Sequence, residues 1–134
     1  MKVLGIDIGG TGIKAAVVNT KTGELLTERH RIATPKPATP NAVAKVVKEM
    51  VEHFDWKDAV GCSFPTTIVD GKCIHSGNLS EKWLNIKVDK LFRKECHIPF
   101  YVSNDADLAG VAEVNLGAGK KEKGVTIYRD IVDK

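Results

Sequence analysis

Asp7-Ile8-Gly9-Gly10-Thr11-Gly12-Ile13-Lys14 is the stretch whose reading decides the fold. Residues 2 to 8 are rich in Val, Leu and Ile, glycines break the run, and Ile13 to Val18 resumes it, which is a strand, turn, strand pattern. The break places an acidic residue at a strand end directly before a glycine turn. Glycine removes the Cβ atoms that would block an approaching ligand, so backbone N–H groups in such a turn can face a phosphate. The Thr11 hydroxyl adds a donor, and Asp7 can hold a Mg²⁺ ion directly or through water. The same residues also suit a plain hairpin with glycines in its turn, and the segment alone leaves both readings open. It is not a Walker loop, and it is not a G-x-G-x-x-G fingerprint leading into a helix. Gly117-Ala118-Gly119-Lys120 also lacks the Walker spacing.

Outward from this hairpin, Asn19-Thr20-Lys21-Thr22-Gly23 is a second cluster of turn formers, and Glu24 to Ile32 mixes charged and apolar residues as a one-sided third strand would. Thr34 to Pro40 carries three prolines and is a loop. Thr39 suits an N-cap with Pro40 at the first helical position, and Val43, Val46, Val47, Met50, Val51 and Phe54 then recur at helical spacing. Ala59 to Phe64 reads as a buried strand ended by Pro65, and Asp70-Gly71 as the turn of a tight hairpin. A second helix is carried by Val88, Leu91 and Phe92, with Asp89 early and Arg93 and Lys94 late, in keeping with the macrodipole. Phe100-Tyr101-Val102 is a strand, Asp105 to Leu116 a helix, and Gly124 to Tyr128 a further strand. The order is that of an α/β domain in which an antiparallel opening gives way to strands joined through helices.

Composition narrows the class. The 134 residues contain 43% hydrophobic and 28% charged residues, enough for one real core. Twenty Lys plus Arg against seventeen Asp plus Glu leave +3, a mild excess that does not point to nucleic acid. Apolar runs such as Ala15-Ala16-Val17-Val18 fall far short of the roughly 20 residues of a membrane span. Asp7 stands where a secretory signal would need its apolar segment, so the chain is expected in the cytoplasm. Cys62, Cys73 and Cys96 show no paired spacing and read as free thiols. Cys96 and His97, being adjacent, would point to opposite faces of an extended segment and are read as a helix end rather than metal ligands. Lys120-Lys121-Glu122-Lys123 reads as a solvated loop.

Two further segments can carry chemistry. Ser103-Asn104-Asp105-Ala106-Asp107 falls between a predicted strand and a helix, where open α/β sheets bind ligands. Asn104 or Asp105 would equally serve as a helix cap, and Asp107 lies on another helical face. Asn78-Leu79-Ser80-Glu81-Lys82-Trp83 offers an amide, a hydroxyl and an aromatic in one loop, types that bind sugars, although the Trp can simply pack.

Together, Asp7-x-Gly9-Gly10-Thr11-x-x-Lys14, Phe64-Pro65, Asn78-Leu79 with Trp83, and Asn104-Asp105-Ala106 with Ala109-Gly110 and Glu113 resemble the N-terminal domain of the ROK family of sugar kinases. Within it, Asn104 to Glu113 followed by Leu116-Gly117-Ala118-Gly119 is most similar to the polyphosphate glucokinases. The resemblance spans residues 2 to about 127. It implies an α/β, ribonuclease-H-like fold of the actin/hexokinase superfamily, with a mixed sheet and flanking helices. It implies phosphoryl transfer from polyphosphate or ATP to the 6-hydroxyl of glucose or a related hexose, with Mg²⁺. By the same resemblance Asp105 is the catalytic base, Asn78, Asn104 and Asp105 bind the sugar, Gly9, Gly10 and Thr11 bind phosphate, and Asp7 is the acidic residue near the metal. Lys14 matches the motif without an assigned role.

The chain departs from the family pattern after Gly124-Val125-Thr126-Ile127. Where a Gly-Thr-Gly second phosphate loop is expected, it reads Tyr128 to Lys134. Residues 1–127 are therefore expected to form the kinase N-terminal domain and 128–134 a divergent tail, with the family's C-terminal domain absent. Two expectations follow: little or no turnover by this chain alone, and association into a homo-oligomer to cover the exposed edge. The competing reading is a non-catalytic sugar- or phosphate-binding module. A repressor of the same family fits less well, because only six residues precede Asp7, too few for a DNA-binding helix-turn-helix. Neither nucleic acid nor membrane is expected as a partner.

Overall fold

The computed structural model describes residues 2–19, 21–22 and 24–104. In chain order the elements are β1 (Lys2–Ile8), β2 (Gly12–Asn19), β3 (His30–Ala33), α1 (Pro40–His53), β4 (Val60–Phe64), β5 (Ile68–Val69), β6 (Lys72–Cys73), a 3-10 turn (Glu81–Trp83), α2 (Val88–Cys96) and β7 (Phe100–Asn104). The principal sheet has the order β3-β2-β1-β4-β7. β1 and β2 pair antiparallel from Lys2↔Asn19 to Ile8↔Ile13, so the glycine segment is the hairpin turn. A helix must then carry the chain back for parallel pairing. α1 does so between β3 and β4, and α2 between the small β5-β6 hairpin and β7, giving β1, β4 and β7 one direction.

The helices form for the reasons visible in their residues. The Thr39 hydroxyl accepts the Ala42 N–H at 3.3 Å and Pro40 occupies the first turn, where its missing donor costs nothing. Val43, Ala44, Val46, Val47, Met50 and Val51 are buried along one face. They share a core cluster with Leu4, Ile6 and Ile8 of β1, Ile13, Ala15 and Val17 of β2, and Val88 and Phe92 of α2. Strand alternation places Val3, Ala16 and Val18 on the other face of the sheet, and these are buried as well. α2 ends as expected at Cys96, with His97 in the left-handed conformation at φ 60°. Asp70 (φ 51°) and Gly71 (φ 79°) form the tight turn between β5 and β6, a backbone that suits this residue pair.

The third strand is shorter than the sequence implies. The expected Glu24 to Ile32 strand is confined to His30–Ala33, paired from Gly12↔Ala33 to Ala15↔His30. Beyond that, the next strand pairing is an isolated bridge between Val18 and Leu25, so Ala16 and Val17 face four residues, Leu26 to Arg29. The Thr27 hydroxyl accepts the Val17 N–H at 3.1 Å, taking the place of a ladder carbonyl and turning the surplus residues into a bulge. Alternating polarity alone does not reveal such an insertion. The expected helix from Asp105 to Leu116, the strand from Gly124 to Tyr128 and the tail lie outside the described residues. Among the described residues no helix is long and apolar enough to cross a membrane.

Thr39→Ala should cost about 1 kcal/mol of stability, whereas Phe92→Ala, which empties a fully buried position, should cost about 3 to 5 kcal/mol. Urea midpoints with an unchanged slope are the check.

Candidate functional site

Because β1, β4 and β7 run parallel, their carboxyl ends emerge along one edge of the sheet. β1 leads into the Gly9–Thr11 turn, β4 into Pro65 and Thr66, and β7 closes at Asn104. Register fixes the levels: Asp7 pairs with Ser63 and Ser63 with Ser103, while Phe64 stands opposite Asn104. Residues nearly a hundred positions apart are thereby set a few strands from one another.

The glycine turn is held through its carbonyls. The Gly9 N–H donates to the Gly12 carbonyl at 3.0 Å. Thr34 then ties both sides of the turn, its hydroxyl donating to the Gly9 carbonyl at 2.7 Å and its N–H to the Thr11 carbonyl at 3.2 Å. Arg31 Nη2 donates to the same Thr11 carbonyl at 3.0 Å. Among the described residues the N–H groups of Gly10 and Thr11 make no hydrogen bond, and both residues are exposed. A Cβ on Gly9 would lie 2.9 Å from the Gly12 carbonyl, and one on Gly12 would run into the Arg31 guanidinium. A Cβ on Gly10 meets nothing within 4 Å among the described residues, and Gly10 does not have positive φ. Gly9 and Gly12 are thus glycine for close packing inside the turn, and Gly10 keeps an open approach in front of it.

Asp7 is half-buried one residue before the end of β1, between Lys14 of β2 and Ser63 of β4 in register. Burial, and then the Asp7 charge, push the Cys62 thiol up. Burial first and Glu95 second raise Cys96 to about 11, so neither thiol is ionised near neutral pH.

Asn78 is exposed in the loop between β6 and the 3-10 turn. Its neighbour Gly77 has φ 56°, and a Cβ there would lie 2.8 Å from Thr66 Cγ2, so this loop runs against the chain leaving β4. Trp83, the aromatic considered for sugar contact, is fully buried. Its ring packs on Phe64 with centroids 4.8 Å apart and its Nε1–H donates to the Ala38 carbonyl at 2.7 Å, so it anchors the loop. The carboxyl edge therefore brings together the Gly9–Thr11 turn, Asp7, the Asn78 loop and the Asn104 position, while Asp105 lies outside the described residues.

Sequence reasoning missed Thr34 and Arg31, which hold the turn. Thr34 was legible only as the start of a proline loop. Its place beside Gly9 follows from the register Gly12↔Ala33, which a single-sequence pattern does not contain.

The family model described as ROK family matches residues 3–129. The chain belongs to the ROK family. The polyphosphate glucokinase of Mycobacterium tuberculosis is 37% identical over 124 residues, covering 92% of this chain and 47% of that protein. Among solved structures, the inorganic polyphosphate/ATP-glucomannokinase of Arthrobacter sp. strain KM is 42% identical with a TM-score of 0.77, covering 88% of this chain and 49% of that one. A ROK family glucokinase from Streptomyces griseus, solved with glucose and AMPPNP, is 27% identical with a TM-score of 0.70, covering 89% of this chain and 38% of that one. The ROK chain described here thus spans about half, or less, of the length of these relatives. The actin-like sugar-kinase fold expected from the resemblance is the fold observed.

Gly9→Ala should destabilise the chain by about 1 to 3 kcal/mol, as overpacking does, whereas Gly10→Ala should stay within about 0.5 kcal/mol. Thermal unfolding of the two variants side by side makes the comparison.

Proposed function

We propose that these residues form the N-terminal half of a glucokinase-like site that transfers a phosphoryl group from polyphosphate or ATP to the 6-hydroxyl of glucose. The observation that carries this reading is the exposed Gly10-Thr11 segment, tied back through the Gly9 and Thr11 carbonyls, on the same sheet edge as the Asn78 loop and the Asn104 position. Similarity to polyphosphate and ATP glucokinases supports it.

In this reading the Gly10 and Thr11 amides, with Gly9 shaping the turn, hold the donor's phosphates, and Asn78 and Asn104 hold sugar hydroxyls. Asp105 takes the proton from the 6-hydroxyl as the new P–O bond forms. Phosphoryl transfer asks for alignment and charge neutralisation more than for covalent help, which a carboxylate base and an amide-lined turn can supply. Asp7 fits a Mg²⁺ role: it is a half-buried carboxylate at the strand end beside the turn, and Mg²⁺ is commonly held by one or two carboxylates together with waters and substrate phosphates. Bound there, Mg²⁺ would neutralise charge on the transferring phosphate.

The proposed ligand groups of the 134 residues all belong to one side of an interdomain cleft. Holding reactants in a near-attack geometry contributes roughly 7 to 11 kcal/mol in favourable cases, and that advantage requires a closed, water-poor site. The 134 residues by themselves should therefore turn over glucose far below the usual 1 s⁻¹ or so, as followed by glucose 6-phosphate formation with Mg²⁺ and either donor. Turnover in the ordinary range would mean that association of copies rebuilds a complete cleft.

Joined to a ROK C-terminal domain, the Asp105→Asn variant should lose at least about 10²-fold in kcat, the lower range for loss of a general base, while glucose binding is retained. A kcat within a few-fold of the unsubstituted enzyme would reduce Asp105 to a helix cap.

A further inference from the structure

The β2-β3 bulge leaves an open groove beside the glycine turn, lined by Lys14, Leu25, Thr27, Glu28, Arg29 and Arg31. We propose that this groove is a polyanion track, taking the phosphates of a linear inorganic polyphosphate that extend beyond those at Gly9–Thr11. The proposal rests on the phosphoryl-donor reading above and names the donor class that the groove favours.

Four observations carry it. Continuity is the first: Arg31 Nη2 donates to the Thr11 carbonyl at 3.0 Å, so the groove begins where the phosphate turn ends. Lys14 stands opposite Arg31 in register, placing two cations side by side across β2 and β3. The second is the bulge, whose segment from Leu26 to Arg29 includes Thr27, Glu28 and Arg29; a regular ladder would have no such wall. Bulges re-aim side chains in this way beside functional sites. The third is charge: the lining residues carry three cations and one carboxylate, that of Glu28, with Asp7 the next carboxylate, across β2 beside Lys14. Arg29 and Arg31 are exposed and weakly hydrated guanidinium groups, matched in shape to phosphate oxygens and little penalised by desolvation. The fourth concerns what the groove lacks: Leu25 is its one apolar lining residue among those described, and it has no aromatic ring on which a nucleobase could stack. A ligand that continues as phosphate suits it better than one that ends in a nucleoside.

The test is calorimetric titration of the 134-residue chain with long-chain polyphosphate, with tripolyphosphate and with ATP. Arg29→Gln should weaken long-chain polyphosphate by about two- to fivefold, the range for one exposed ion pair, and leave tripolyphosphate and ATP unchanged. Glu28→Gln should tighten the long chain about twofold or more by removing the opposing charge. Lys57→Gln removes the same charge from the amino-terminal approach to β4 and should change nothing beyond a small general effect. Thermal midpoints of the variants should match, since Arg29 is exposed and makes no hydrogen bond among the described residues.

An Arg29→Gln loss no larger than that of Lys57→Gln would overturn the track, as would the same loss for tripolyphosphate. Equal binding of a single-stranded oligonucleotide through Arg29 would assign the groove to nucleic acid instead. Arg29-dependent polyphosphate binding, together with an Asp105→Asn variant of the two-domain protein whose kcat stays within a few-fold, would support the track while counting against the kinase reading.

Discussion

One buried indole holds the loops of this domain to its sheet. Trp83 sits in a single 3-10 turn, yet it is fully buried, packs on Phe64 at the end of β4 and on Phe92 of α2, and gives its N–H to the Ala38 carbonyl. A buried indole without an acceptor would forfeit a hydrogen bond, so the proline-bearing loop that supplies Ala38 is fixed along with the ring. Thr34, four residues earlier in that loop, grips the glycine turn. Turn, proline loop, Asn78 loop and strand end are in this way parts of one framework, and rigid support of this kind is what a positioning site requires.

The sheet supplies the second constraint. At one register level, Arg31, Lys14, Asp7, Ser63 and Ser103 form a row of polar residue types across five strands. The next level toward the amino ends of β1, β4 and β7 reads His30, Ala15, Ile6, Cys62 and Val102, which is largely apolar. A polar row at that depth costs desolvation unless its members find partners, and Asp7 and Ser63 both have them. Its place, one level below the strand ends, is where an α/β sheet keeps its ligand-facing chemistry. Of the three glycines at the turn, Gly9 and Gly12 answer to packing, while Gly10 answers to neither packing nor backbone conformation among the described residues.

Local chemistry made most elements legible. The Thr39-Pro40 start, the helical recurrence from Val43 to Met50, the Asp70-Gly71 turn and the glycine break after Ile8 each depend on near neighbours, and each stands in the structure where the sequence puts it. The third strand was overextended because the bulge is a relation between two strands: Thr27 replaces a ladder partner of Val17. Trp83 is ambiguous for the same reason, since the ring that packs closest on it, Phe64, and the carbonyl that accepts its N–H, Ala38, are 19 and 45 residues away in sequence.

The sequence by itself determined the element order, the residue types able to handle phosphate and sugar, and, through the combined motifs, the family. Those follow from spacing and side-chain chemistry, which do not depend on where distant segments lie. Only the tertiary structure decided that Thr34 and Arg31 brace the glycine turn, that Trp83 packs, that Gly77 brings the Asn78 loop against Thr66, and that Arg29 stands on a bulge beside Lys14 and Arg31. Each of these is a contact across many residues of chain, set by strand register and shared burial, and register is a property of paired strands that neither strand carries alone.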